Sequence, residues 1–207
     1  MPTPVTRTRG ALADGGSAAQ RDRRRRILDA TLALASRGGY EAVQMRSVAE
    51  DADVALGTLY RYFPSKIHLL VSALAREIER TQDRMDRAIL RGNSPYDRVM
   101  VMLGGITKAM QRDPHLTEAM TRALMFADAS AAAEVDTVCR LTDGMFARAM
   151  SNSEPDAEQL AIARVISDVW LSNLVAWVTH RASADDVAER LELTVGLLLG
   201  KRRATSR

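Results

Sequence analysis

From Gln20 onward, apolar residues recur at intervals of three and four, whereas residues 1–19 are rich in Pro, Gly, Thr, Ser and Ala and hold few large apolar groups. That first stretch is expected to be a disordered arm. Ile27, Leu28, Thr31, Leu32, Leu34 and Ala35 then share one face of a helix that Gly38-Gly39 should end. Val48 and Ala49 mark the inward face of a short helix over 45–52, and another fits 56–63; the ADADVAL segment between them leaves room only for a turn. After Pro64, Ser65 is placed to cap a long helix on which Ile67, Val71, Leu74, Ile78, Met85 and Ile89 step by threes and fours until Gly92-Asn93. Further helices are predicted over 95–112, 114–128, 131–150, 156–181 and 184–199. Pro95, Pro114 and Pro155 stand at or near three of the starts, where a missing N–H leaves no bond unmade. No strand-like alternation occurs, so the expected fold is all-α with about nine helices and no repeat.

Three short helices within residues 20–66, the last two joined by a tight turn, have the layout of a helix-turn-helix DNA-binding domain. Residues 67–200 would form a larger helical body, and 201–207 a basic tail. The chain is only 4% aromatic, yet LGTLYRYFPSK, residues 56–66, places Tyr60, Tyr62 and Phe63 within four positions. Helical geometry separates them: Leu59 and Phe63 form an inward pair, while Thr58, Tyr60, Arg61 and Tyr62 point outward. Each outward group suits DNA. Gly57 permits close approach, Thr58 reaches a base edge or phosphate, Tyr60 and Tyr62 reach phosphates, and Leu56 can meet a thymine methyl. Arg46 and Ser47, at the start of the preceding helix, are further candidates, Arg46 for a guanine edge. Lys66 would clamp a phosphate, and Arg23 and Arg24 of the cluster RDRRRR, residues 21–26, would follow the DNA backbone or minor groove. The plainer readings stay beside these: half-buried tyrosines, a solvated Arg46 and a solvated arginine face.

Charge supports the division. Residues 1–66 hold 11 Lys/Arg against 7 Asp/Glu, residues 67–200 hold 14 against 19, and the tail adds 4 cations. A basic front on an acidic body suits a module that faces a polyanion. The single cysteine, Cys139, excludes an internal disulfide framework, and three scattered histidines give no zinc spacing, so no metal or cofactor is expected. No nucleophile elbow, phosphate-binding glycine loop or paired carboxylate constellation points to an enzyme. No unbroken run of about 18 apolar residues occurs, and MPTPVTRTRG lacks the apolar stretch of a signal peptide, so a cytoplasmic, nucleoid-associated protein is expected.

In the body, Met100, Met102, Met110, Met120 and Met125 fall within 26 positions, joined by Phe126, Phe146 and Met150. Flexible thioethers suit a cavity for a large rigid apolar ligand, and they suit an ordinary core equally. Leu103, Ile106 and Leu124 accompany them as lining candidates, with Trp170, Asn173, Leu174 and Trp177 from the apolar helix over 160–180. That helix is apolar on more than one side, so it should be buried on several faces. One face can meet its copy across a twofold axis, through Val165 and Val169 together with Leu191, Val195 and Leu198 of the last helix. Asn173 and Asp168 are expected to be hydrogen-bonded within the bundle, and Arg122 is either an anion partner or bound to Glu118 four residues back.

The segment ILDATLALASRGGYEAVQMRSVAEDADVALGTLYRYFPSKIHLL resembles the DNA-binding domain of TetR-family transcriptional regulators. The resemblance implies that Arg46, Thr58, Tyr60, Tyr62 and Lys66 contact operator DNA, and that Leu59 and Phe63 are core. Asp53 stands where glycine is usual in the turn, and Ala55 where a serine cap is common. The body segments LTEAMTRALMFADASAAAEVD, MFARAM and ARVISDVWLSNLVAW resemble the branch of that family that represses sterol-degradation genes in actinobacteria. That likeness implies a homodimer, joined through its last two helices, on an inverted-repeat DNA operator. It also implies release by a CoA thioester of a cholesterol-derived steroid acid. The alternative is another large lipophilic ligand, such as a fatty acyl-CoA or a drug.

Overall fold

The computed structural model describes residues 9–87, 92–151 and 153–200. Among them stand nine α-helices, one short 3-10 helix and no strand. Helix α1 (Arg9–Ala42) starts before the expected Gln20, because the alanine-rich stretch after Arg9 has no proline to stop a helix. The second half of the expected disordered arm is therefore helical, while residues 1–8, Ile89 and the basic tail lie outside the described residues. Gly38 (φ −157°, ψ 26°) and Gly39 (φ 68°, ψ −159°) break α1 where expected, and a last helical turn follows them.

Helices α2 (Met45–Asp51) and α3 (Leu56–Tyr62) enclose a turn in which Asp53 takes φ 52°, the left-handed conformation that aspartate tolerates. Ala55 opens α3 with no side-chain cap; its carbonyl accepts from the Thr58 N–H at 2.8 Å. Ser65 sits before α4 (Lys66–Arg87) and is bound to His68 Nδ1 at 2.9 Å. Four of the remaining five helices begin on oxygen caps, which hold N–H groups that no helical carbonyl can reach. Ser94 caps α5 (Pro95–Arg112) and Asp113 caps α6 (Pro114–Met125). A 3-10 turn, Ala129–Ala131, leads into α7 (Ala132–Met150), which starts from Ala131 without a side-chain cap. Reciprocal capping boxes start α8 (Ala157–Val178) and α9 (Ala184–Leu199).

Two apolar cores organise these elements. Ile27, Leu59, Phe63 and Leu70 belong to one that also takes in Ala119, Met120 and Ala123 of α6 and Val138 of α7. Packing thus runs continuously across the boundary expected near residue 66, and the DNA-side helices share their core with the body. The other core joins α5, α7, α8 and α9 through Val99, Phe146, Ile166, Leu191 and Val195, with the Phe146 and Trp170 rings edge to face at 5.8 Å. By length and composition alone α8 is apolar enough to cross a membrane. Here it packs on α6, α7 and α9, and it carries Arg164 and Asp168 on its exposed side.

Candidate DNA-binding face and ligand cavity

Leu59 and Phe63 anchor α3 as expected, 0% and 1% exposed. Tyr60 is 47% exposed, and Gly57, Arg61 and Arg46 are exposed with it, while Thr58 and Ser47 are half-buried. A Cβ on Gly57 would meet nothing within 4 Å in the protein. The fold itself therefore does not require glycine there. Tyr62 and Leu56 are less presented than their helical positions suggested: both pack in part against the first core, with the Tyr62 ring 6.3 Å from that of Phe63.

The arginine cluster divides by function. Arg26 donates to the carbonyls of Ala52 and Asp53 at 2.6 and 3.3 Å, tying the end of α2 to α1. Arg25 pairs with Asp22, Arg24 lies over the Phe63 ring at 5.0 Å, and Arg23 is half-buried on the same turn of α1. Which of these arginines folds inward cannot be read from the sequence, since only the turn carbonyls of residues 52 and 53 explain the placement of Arg26.

Behind this face, α1 meets α6. The Tyr40 N–H donates to Glu118 Oε2 at 2.9 Å. Arg122 bridges Glu118 and Glu41 at 2.9 and 3.0 Å and lies over the Tyr40 and Phe126 rings. Of the two readings of Arg122, the bond to Glu118 holds, and Arg122 does not line the cavity. Lys66 Nζ sits 3.8 Å over the Tyr40 ring. Burial there pushes its ammonium below the usual lysine pKa, and nearby Glu41 partly opposes the shift. In this conformation Lys66 rests on the junction and is not extended toward a phosphate.

The body holds a cavity of about 610 Å³ bounded by α4, α5, α6, α7 and α8. Of the lining candidates named from the sequence, Ile106, Met110, Met120, Leu124, Trp170 and Leu174 stand on its wall. The other candidates stand elsewhere. Leu103, Phe146 and Met150 are buried in the second core, and Met100 and Trp177 pack against it, because their helical faces turn toward α9 and not toward α4. Met125 and Phe126 end α6 on the surface. Asn173 is buried and donates to the Val169 carbonyl at 2.8 Å, the hydrogen-bonded role expected of it, while Asp168 lies exposed at the cavity edge. Methionine clustering missed the walls supplied by Leu74 and Ile78 of α4 and by Val138 and Thr142 of α7. Arg84 of α4, Val101, Gly105 and Ala109 of α5, Cys139 of α7 and Arg164, Asp168 and Leu171 of α8 are the exposed lining residues, and they place the mouth away from α6. The α6 residues on the wall are buried or half-buried, so α6 closes the cavity.

The expected interface residues also separate. Val165 is exposed and Val169 and Leu198 are half-buried, but Leu191 and Val195 lie inside the chain. With Val187 they form the inward i, i+4, i+8 stripe of α9, and the opposite side shows Leu193 and Leu197, 64% and 77% exposed.

Known proteins agree with this architecture. Residues 27–73 match the model for bacterial regulatory proteins of the tetR family, and residues 92–198 match a tetracyclin repressor-like C-terminal domain. The chain is 70% identical over 185 residues to the HTH-type transcriptional repressor KstR of Mycolicibacterium smegmatis, covering 89% of this chain and 91% of that one. It is 71% identical over 187 residues to the KstR of Rhodococcus jostii, covering 90% and 87%. A TetR transcriptional regulator from Rhodococcus sp. RHA1 superposes with a TM-score of 0.79 at 31% identity, covering 89% of this chain and all of that one. Thermus thermophilus FadR, solved in complex with lauroyl-CoA, shares the fold at a TM-score of 0.62 and 21% identity, over 89% of this chain and 98% of its own. With a helix-turn-helix front, a helical body around a cavity and these matches across both, the chain belongs to the tetR family of bacterial transcriptional regulators.

Proposed function

We propose that this protein is a repressor of sterol-catabolism genes that binds an inverted-repeat operator as a homodimer and leaves it when a steroid-acid CoA thioester enters the body. The observation that carries the ligand half is the cavity: about 610 Å³, walled by Ile78, Met120, Leu124, Val138, Trp170 and Leu174. That volume lies within the roughly 300–1,000 Å³ of sites that bury most of a compact apolar ligand. Likeness to KstR repressors over about nine-tenths of the chain supports repression, and the family is one of regulators rather than enzymes. DNA is met in the cytoplasm, with nucleoid association as the consequence of operator binding.

On the DNA side, Tyr60, Arg61, Thr58 and Gly57 of α3 and Arg46 and Ser47 of α2 face the operator. Arg23 and Arg24 flank them, and Lys66 turns from Tyr40 to a phosphate. Leu193 and Leu197 of α9 with Val165 of α8 supply the exposed apolar face for a second copy. Two copies read two half-sites about one helical turn or more apart, so a single short recognition helix per chain suffices. Release follows if the ligand binds the DNA-incompetent dimer more tightly, and only by as much as that difference.

The test is melting and operator binding with steroid-acid CoA thioesters. A hundredfold excess over Kd adds about 2.7 kcal/mol, a rise of roughly 5–10 °C for a chain of this size, and should free the operator. A second reading rests on the fold shared with FadR, which holds lauroyl-CoA. Stabilisation by long-chain acyl-CoA and none by any steroid thioester would establish that reading instead. Separately, Tyr60→Phe should weaken operator binding about two- to tenfold per half-site, the loss of one hydrogen bond, with an unchanged melting temperature. Unchanged affinity would remove Tyr60 from the contacts.

A further inference from the structure

Three polar side chains on the cavity wall are at least nine-tenths buried: Thr117, Thr121 and Thr142. Two are already engaged. Thr117 Oγ1 donates to the Met110 and Asp113 carbonyls, both at 3.0 Å, and Thr142 Oγ1 to the Val138 carbonyl at 2.9 Å. Ser167, half-buried on the same wall, donates to the Ala163 carbonyl at 3.0 Å. Thr121, 3% exposed, is different: among the described residues its hydroxyl has no hydrogen-bond partner. Its oxygen is not sealed among packed side chains, as Gln82 Nε2 is, so it faces the cavity, where only something from outside the chain can supply the partner whose absence costs free energy.

We propose that the Thr121 hydroxyl is the specificity contact for an oxygen carried by the buried end of the ligand. This inference rests on the reading of the cavity as the ligand site. Thr121 lies on α6, the closed wall, with Leu124 and Met120 beside it, while the exposed lining residues come from α4, α5, α7 and α8 and none from α6. A CoA thioester is too large and polar for the apolar interior and must leave through the mouth. The opposite end of the ligand, the ring system's far edge in a steroid acid, therefore reaches the α6 wall. A ketone oxygen there accepts from Thr121 Oγ–H, and a ring hydroxyl exchanges a hydrogen bond with it in either sense. A ligand with only C–H groups at that edge leaves Thr121 unpaired and is disfavoured, since a polar group in the site discriminates against the analogue that cannot satisfy it.

The experiment measures Kd for three steroid-acid CoA thioesters that differ at the far ring edge: a ketone, an alcohol and no oxygen. Wild type is expected to prefer at least one oxygenated ligand over the deoxygenated one by about three- to tenfold. Thr121→Val, nearly the same shape, should abolish the preference, and Thr121→Ser should keep it. The valine variant should melt no lower than wild type, because no bond within the chain is lost. Equal affinities in wild type, or a preference that survives in Thr121→Val, would overturn the assignment while leaving steroid binding intact. If wild type binds no steroid thioester, the proposed function fails, and stearoyl-CoA against its ω-hydroxy derivative becomes the deciding pair. A preference there that Thr121→Val erases supports the assignment, and no such change overturns it.

Discussion

Phe63→Ala is expected to cost about 3–5 kcal/mol of stability and to abolish operator binding. The ring is 1% exposed at the end of α3, in the core that joins Ile27 of α1, Leu59 of α3 and Leu70 of α4. Removing it opens a cavity that these helices cannot close without moving, and α3 is the element that must be held in place. Its seven residues are too few to be stable alone, so their geometry depends on this packing. Arg24 also loses the ring beneath it. Against a typical total of about 5–15 kcal/mol, the loss is large enough to populate unfolded chains at 37 °C. Urea denaturation and fluorescence anisotropy on operator DNA check both halves, with Phe63→Leu as the variant that retains most of the volume. A loss below about 1 kcal/mol with unchanged DNA affinity would show that Phe63 is not the anchor.

Gly39→Ala is the second expected large effect, and it acts on the junction between the two parts of the chain. With φ 68° and ψ −159°, Gly39 occupies a region that is essentially closed to residues with a side chain, at about 1–3 kcal/mol for a forced occupant. A Cβ there would also stand 2.6 Å from Glu118 Oε2. That carboxylate accepts the Tyr40 N–H and holds Arg122, so it cannot withdraw without breaking both contacts. Because α6 turns Thr117, Met120 and Leu124 to the cavity and Glu118 and Arg122 to α1, the substitution should also weaken the coupling between ligand and DNA. The expected result is a lower melting temperature and a smaller ratio between operator affinities measured without and with ligand. A variant as stable as wild type would contradict the clash.

Much of this was legible in the sequence because helices announce themselves locally. Spacing of three and four, proline at Pro95 and Pro114, glycine at Gly38-Gly39 and serine at Ser65 act within a few residues, and they placed eight of the nine described helix starts closely. Only α1 began earlier than read, since alanine-rich sequence is compatible with either arm or helix. Leu59, Phe63 and Tyr60 were legible for the same reason. The burial of Leu59 and Phe63 and the exposure of Tyr60 follow from where they stand on α3 and at its C-cap.

Other features depend on which helix lies opposite, and periodicity contains no such information. On α9, Leu191 and Val195 form one stripe and Leu193 and Leu197 another; both look like interfaces in the sequence, and only packing against α5 and α8 shows which is inside. The cavity was half visible for a related reason. Met110 and Met120 line it, but Phe146, Met150 and Leu103 are equally apolar and face the second core, while Leu74 and Val138 had no compositional mark. Polar groups show the same division. Arg26 belongs to a charged run in the sequence but closes the α2–α3 turn, Lys66 folds onto Tyr40, and Thr121 stands out from Thr117 and Thr142 only through hydrogen bonds it does not make. The sequence by itself determined the helices, the class of DNA-binding module and the anchors of its recognition helix, because short-range geometry governs each of them. Tertiary structure alone decided the cavity wall, the free face of α9 and the junction between α1 and α6, because these arise from contacts between residues tens of positions apart.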